Sequence, residues 1–186
     1  MDLYVKLPVP MLILPGLGNS GPEHWQSHWE RLDSSCERVT QSDWETPRCA
    51  DWVMKLDQIV GQRTAPAVLV AHSSACALVA HWAATAPAKH LLRISGALLV
   101  APSDPDGRNY PAGPIGFGPV PLRTLPFASI VVASTDDRYI APDRARLYAE
   151  KWGSRLVLLE EAGHINADSG FGPWPEGYAL LNSLRE

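Results

Sequence analysis

The sequence is short of almost everything that would mark a nucleic-acid-binding, membrane-spanning or disulfide-stapled protein. Its 186 residues carry 16 Lys and Arg against 20 Asp and Glu, a formal net charge of −4, and no stretch gathers the basic residues into a stripe. Phosphate backbones are held by clustered Lys and Arg, so no nucleic-acid partner is expected. No uninterrupted apolar run approaches the roughly 20 residues that a membrane span needs, so no membrane partner is expected either. The N-terminal "MDLYVKLPVPMLIL" has an acid at position 2 and two prolines ahead of its apolar run, which is not the make-up of a signal peptide. Only three cysteines occur, Cys36, Cys49 and Cys76, and they form neither a CxxC nor a Cys/His zinc pattern. A reduced, cytoplasmic chain is the plain reading.

What is present is an alternation of short apolar runs and longer amphipathic ones. Strands are expected at 11–14, 38–40, 67–71, 96–100, 129–134 and 155–159, and helices at 22–32, 49–61, 75–85, 142–152 and 175–184. "AVLVA", "GALLV" and "SIVVAS" are apolar throughout, as strands are when both faces are covered. Strands alternating with helices predict an α/β fold with a mostly parallel sheet of about six strands, in one domain over residues 1–186. Residues 101–127, rich in Pro and Gly, interrupt the alternation after a strand's C-terminal end. Ligands bind at that edge of open α/β sheets, so the segment is expected to wall the site. A plain surface connection would look the same.

The stretch "PAVLVAHSSACALVAHW" reads as strand, tight turn and helix, centred on Ala71-His72-Ser73-Ser74-Ala75. It compares with G-x-S-x-G, the turn that lifts a nucleophilic serine to the top of a sheet. The flanking positions must be small because strand and helix nearly touch there, and alanine is the next residue up from glycine. A serine merely capping a helix would look similar, so the context must decide.

A serine hydroxyl needs a histidine to take its proton and a carboxylate to orient that histidine, in chain order Ser, Asp or Glu, His in this fold. "SIVVASTDDRYIAP" puts Asp136 and Asp137 just past a strand, and "RLVLLEEAGHINADSG" puts His164 just past the last one. Asp137 is favoured as the orienting acid, while Asp136 is suited to capping the turn; a shift of one residue would exchange them. Among the other histidines, His72 should point away from Ser73, and His81 and His90 look like surface or core residues. His24 and His28 are four apart on a predicted helix but bring no third ligand, so no metal is expected. His24, next to the glycine turn, stands where it could line a pocket. Cys76 reads as a small buried side chain.

"LPGLGNSGPEHW" spells Gly16-x-Gly18-x-x-Gly21, the letters of a dinucleotide fingerprint. Pro22 argues against that use, because the residue before a proline is pushed out of the helical region. Gly21 is then expected as a cap and Pro22 as the first helical residue, and no cofactor is expected. The turn is better suited to giving a backbone N–H to an oxyanion. Leu17 is assigned as that donor, Gly18 as the alternate, and Ser74 as the partner donor after the nucleophile.

Taken together, "LPGLGNSGPEHWQSHWE", "VAHSSAC", "VVASTDDRYIAP" and "EAGHINADSGFGPWPEG" resemble the small single-domain serine hydrolases related to retinoblastoma-binding protein 9, of the α/β-hydrolase superfamily. The resemblance covers nearly the whole chain, with "AHSSA" in place of the usual G-H-S-x-G as its one clear departure. It implies Ser73, Asp137 and His164 as a triad, and a three-layer α/β-hydrolase-like sandwich without a lid domain. It also implies a small ester or amide as substrate, since both esterase and peptidase-like activities are associated with relatives. The expectation is therefore a serine hydrolase acting on small carboxylic esters. The rival is a protein-binding module on a hydrolase scaffold.

Overall fold

Strands covered on both faces can only sit in the middle of a sheet. In the computed structural model, which describes residues 9–185, β1 (Met11–Leu14) and β3 (Ala67–His72) are buried at every position. β4 (Ile94–Val100) and β5 (Ala128–Ser134) are buried at all but one. β2 (Cys36–Arg38) and β6 (Arg155–Leu159) are half-exposed and form the two edges. The order is β2-β1-β3-β4-β5-β6, with every pairing parallel. The N-terminal stretch that lacks the make-up of a signal peptide lies largely outside the described residues.

Parallel neighbours need crossovers, and the helices supply them on both faces. Leu12, Leu14, Leu69, Ala71, Leu99 and Ala133 face α2 (Cys49–Gln62), α3 (Ser74–Thr85) and α5 (Pro142–Trp152). The alternate residues Met11, Ile13, Val68, Val70, Leu98 and Val132 face the tryptophans of α1 (Trp25–Leu32) and Leu181 of α6 (Pro175–Asn182). A short helix α4, Ala88–Leu91, precedes β4 and was not expected from the sequence. The result is the expected three-layer α/β sandwich. Among the described residues no helix is long and apolar enough to cross a membrane.

Several boundaries differ from expectation, among them those of β2 and α1. β2 lies at Cys36–Arg38 rather than 38–40. Val39, just past the strand, still touches the sheet, giving its N–H to Ile13 O at 2.9 Å. Helix α1 begins at Trp25, not at Pro22. Residues Gly21 to His24 form a turn closed by His24 N–H to Gly21 O at 3.1 Å. Proline's fixed φ serves the second position of such a turn as well as it serves a helix start. The cap is the His24 ring, whose Nδ1 accepts from Gln26 N–H at 3.2 Å.

Strand order reverses between β1 and β3, and open α/β sheets bind ligands at the crevice this creates. Gln26, fully buried, spans it. Its Nε2 donates to Leu14 O at 3.2 Å and Val70 O at 3.0 Å, while its Oε1 accepts from Ser20 Oγ at 2.6 Å.

Residues 101–127 carry no helix or strand, but they are anchored. Phe117, Val120 and Leu125 are buried in the core. Asp104, itself buried, accepts a two-pronged bond from Arg144 at 2.8 and 2.9 Å and a third from Tyr148 Oη at 2.9 Å. Burial alone would raise the Asp104 pKa, but the bonds from Arg144 and Tyr148 hold it below its usual value. Arg144 is about a third exposed, which discounts the pair. Asp104→Ala should therefore cost about 2 kcal/mol rather than the 3–5 of a fully buried pair; urea unfolding of the two proteins measures it.

Candidate active site

The turn after β3 is the centre of the site. Ser73 has φ 58° and ψ −125°, a conformation that costs a non-glycine residue on the order of 1–3 kcal/mol. Its N–H donates to Val100 O at 3.0 Å, and fully buried Ala71 and Ala75 sit two residues to either side. Helix α3 then runs into the core, buried at every position from Ser74 to Ala80. The alanines are small enough for this turn, so the departure from glycine leaves its backbone intact.

Gly16 makes the complementary fit. A Cβ there would lie 2.8 Å from Ser73 Cβ and 2.9 Å from His72 O, closer than side chains tolerate. The loop after β1 can thus lie directly against Ser73 only because residue 16 is glycine. Beyond it, Asn19 N–H closes a turn onto Gly16 O at 3.1 Å, and Gly18 N–H is taken by Trp44 O at 2.8 Å. Among the described residues the N–H groups of Leu17 and Ser74 have no acceptor. Arg38 braces this loop from β2, with NH1 on Asn19 Oδ1 at 2.6 Å and Ser20 O at 3.0 Å, while its remaining nitrogens pair with Glu30 and Ser27.

The structure brings Ser73, Asp137 and His164 together across 91 residues of sequence. His164 Nε2 lies 2.9 Å from Ser73 Oγ, and its Nδ1 lies 2.8 Å from Asp137 Oδ2. A carboxylate only accepts, so Nδ1 carries the proton and Nε2 offers its lone pair to the serine O–H. The Asp137 side chain is fully buried, and its other oxygen accepts from Tyr139 N–H at 2.9 Å. Asp136 has a different role. Its Oδ1 takes Ser134 Oγ at 2.7 Å and Gly163 N–H at 2.8 Å, tying the loop after β5 to the loop that carries His164. Those bonds lower its pKa.

Two features were not legible in the sequence. Ser103, buried in the loop after β4, places its Oγ 2.8 Å from Ser73 Oγ. With the Ser73 proton directed to His164, Ser103 is the donor, and it fixes the serine rotamer. Nothing in its local sequence marks it; only strand order brings it there. The second feature is a row of imidazoles. His24 meets His72 edge-on at 4.7 Å between centroids, and His72 lies 4.9 Å from His164. His72 Nε2 donates to His164 O at 3.0 Å, so it helps to hold the loop that carries the histidine. Tyr139 stacks edge-on to the His164 ring at 4.6 Å. His28 Nε2 sits 3.9 Å from Glu23 Oε2. Cys76 is buried, and burial pushes its thiol well above the usual value.

A cavity of about 180 Å³ opens over Ser73. It is lined by Leu17, Asn19, His24 and His72, by Ser103 and Pro111 of the 101–127 segment, and by Tyr139, His164 and Asn166.

The family model for serine hydrolases matches residues 11–183, and the chain belongs to that family. No curated protein matches it. Among solved structures, a protein from Pectobacterium atrosepticum described as a YdeN-like hydrolase is 32% identical over 96% of this chain and 91% of its own, with a TM-score of 0.82. The B. subtilis ydeN gene product is 20% identical over 95% and 98%, with a TM-score of 0.71. A monoacylglycerol lipase from Paleococcus ferrophilus shares the fold at 12% identity over 99% and 98%, with a TM-score of 0.67. The chain is thus a serine hydrolase by family, built on an α/β sandwich.

The buried imidazoles make stability depend on pH. Burial, then the charges of Arg38 and His164, lower the His24 pKa from 6.5 to about 3. Burial, followed by His164 and His24, also takes His72 well below 6.5. Both rings gain a proton only in the unfolded chain as pH falls below 6.5, so the unfolded state then binds more protons. Their contribution is fully present above pH 6.5 and is lost as pH falls toward about 3. The slope is at most about 1.4 kcal/mol per pH unit for each ring. The urea midpoint should drop between pH about 6.5 and 4.5, and His24→Asn should flatten that drop.

Proposed function

We propose that the chain hydrolyses small carboxylic esters through an acyl-enzyme formed on Ser73. The observation that carries this reading is the continuous path of hydrogen bonds from Ser73 Oγ through both nitrogens of His164 to Asp137. In the proposed step Ser73 Oγ attacks the substrate carbonyl carbon and its proton passes to His164 Nε2. Asp137 holds the ring and balances the imidazolium. The developing oxyanion is received by the N–H groups of Ser74 and Leu17. Leu17 is preferred to Gly18 because the Gly18 N–H is already engaged with Trp44 O. His164 then returns the proton to the leaving alcohol, and the same nitrogen activates the water that releases the acid. Small esters are favoured because the cavity is only about 180 Å³.

A fluorophosphonate probe should label the wild-type protein but not Ser73→Ala. Turnover of p-nitrophenyl acetate should vanish with it, and Asp137→Asn should lower kcat on the order of 10⁴-fold. Folded wild-type protein that neither labels nor turns over short esters would instead favour a binding module.

A further inference from the structure

Ser103 reaches the nucleophile along a path that the chain does not take freely. Ala101, the residue after β4, is fully buried at φ 46°, a left-handed conformation that a non-glycine residue seldom adopts. Its N–H donates to Val132 O at 2.7 Å. Just past Ser103, Asp104 N–H donates to Tyr139 O at 3.0 Å, and the Asp104 carboxylate is held by Arg144 and Tyr148. Between these anchors Ser103 is only 3% exposed, with its Oγ 2.8 Å from Ser73 Oγ. Two strained residues, Ser73 and Ala101, thus bring two hydroxyls together. Strain of this kind persists where the surroundings over-determine it, and it clusters at reacting groups.

The direction of this hydrogen bond decides what it can do. His164 Nδ1 donates to Asp137, so Nε2 accepts the Ser73 proton. Ser73 has no second proton, which makes Ser103 the donor. The bond therefore ends on the oxygen whose charge changes during the reaction. A donor speeds a step only when its bond is stronger in the transition state than in the state before it. In the free enzyme Ser73 Oγ is a hydroxyl oxygen that accepts well, and the bond is already made. Attack commits a lone pair of that oxygen to the new C–O bond, so acylation gains little from Ser103.

The acyl-enzyme is the opposite case. There Oγ is the alkoxy oxygen of an ester, a weak acceptor. In deacylation water adds to the acyl carbon and gives a proton to His164 Nε2. The C–Oγ bond then breaks, its electron pair goes to Oγ, and the proton on Nε2 follows. Negative charge grows on Oγ as the bond breaks, and an ionised acceptor roughly doubles the strength of a hydrogen bond.

We infer that Ser103 is a catalytic residue of the second half-reaction, whose O–H stabilises Ser73 Oγ as it leaves the acyl group. Ser103 keeps its own proton throughout. The inference rests on the acyl-enzyme reading above and deepens it: the N–H groups of Ser74 and Leu17 serve the carbonyl oxygen, and Ser103 serves the departing serine.

Ser103→Ala removes the donor and leaves Ser73 oriented by His164. With p-nitrophenyl acetate, kcat/KM reports acylation. The ratio of acylated to unacylated enzyme at saturating ester, read by acid quench and intact mass, reports acylation over deacylation. In the variant kcat/KM should stay within about threefold of the wild type. The acylated ratio should rise about 10- to 100-fold, the worth of a hydrogen bond to a charged group. Ser103→Thr, which keeps the hydroxyl, should bring the ratio back toward the wild-type value. Ser103→Cys, with a weaker donor on a similar frame, should raise it by less, and it carries the comparison if the alanine variant does not fold.

An unchanged or lower ratio overturns the inference. If kcat/KM falls alongside an unchanged ratio, Ser103 only sets the Ser73 rotamer; if kcat/KM holds, it does nothing. In both cases fluorophosphonate labelling of the wild type leaves the hydrolase reading standing. Wild-type protein that neither labels nor forms an acyl-enzyme removes the two together.

Discussion

The backbone of Ser73 is the constraint on which the rest of this structure depends. A non-glycine residue at φ 58° does not stay there by itself. It is held because the chain on either side has no freedom to move. β3 is locked between β1 and β4, and α3 is buried along its first two turns. Relaxing the serine would mean pulling one of them out of the core. Ala71 and Ala75 show that the requirement at the flanking positions is a size limit, which alanine meets. The stricter demand falls on Gly16, where even a methyl group would strike the Ser73 side chain and the His72 carbonyl.

Polar residues are arranged around this turn in a consistent division of labour. Asp137 is engaged by the His164 ring and Asp136 by the loop beneath it, although the two are neighbours in sequence. Both reach the loop after β6, Asp137 to the ring of His164 and Asp136 to the N–H of Gly163. Two further imidazoles sit close to His164, yet both stay neutral in the folded state, so they support it without opposing a positive charge on its ring. The oxygen of Ser103 completes the set by fixing where the Ser73 hydroxyl points.

The sheet and the helices were legible because their signals are local. "AVLVA" announces a doubly covered strand by composition, and Pro142 marks the start of α5 at the residue where it begins. Ser73, Asp137 and His164 were legible because each follows a strand, and strand ends share one edge of a parallel sheet. Pro22 misled because a turn and a helix start ask the same φ of proline, and only the tertiary position of the His24 ring decides between them. Gln26 and Ser103 were invisible for a different reason. Each acts on a group brought near by strand order, 44 residues away for the Gln26 bond to Val70 O and 30 residues away for the Ser103 bond to Ser73. A glutamine in an amphipathic helix carries no mark of spanning two strands.

Asp136 has a broader implication. Because its carboxylate joins the loop after β5 to the loop after β6, and both loops rise from adjacent paired strands, the acid–imidazole spacing is built into the scaffold. The segment 101–127 meets that unit from the side, anchored through its own pair with α5. The cavity wall thus combines loops of separate origin, with Leu17 and Asn19 from after β1 and Ser103 and Pro111 from after β4. A change at Pro111 would reshape the cavity without touching the Asp136 tie that sets the distance from His164 to Asp137.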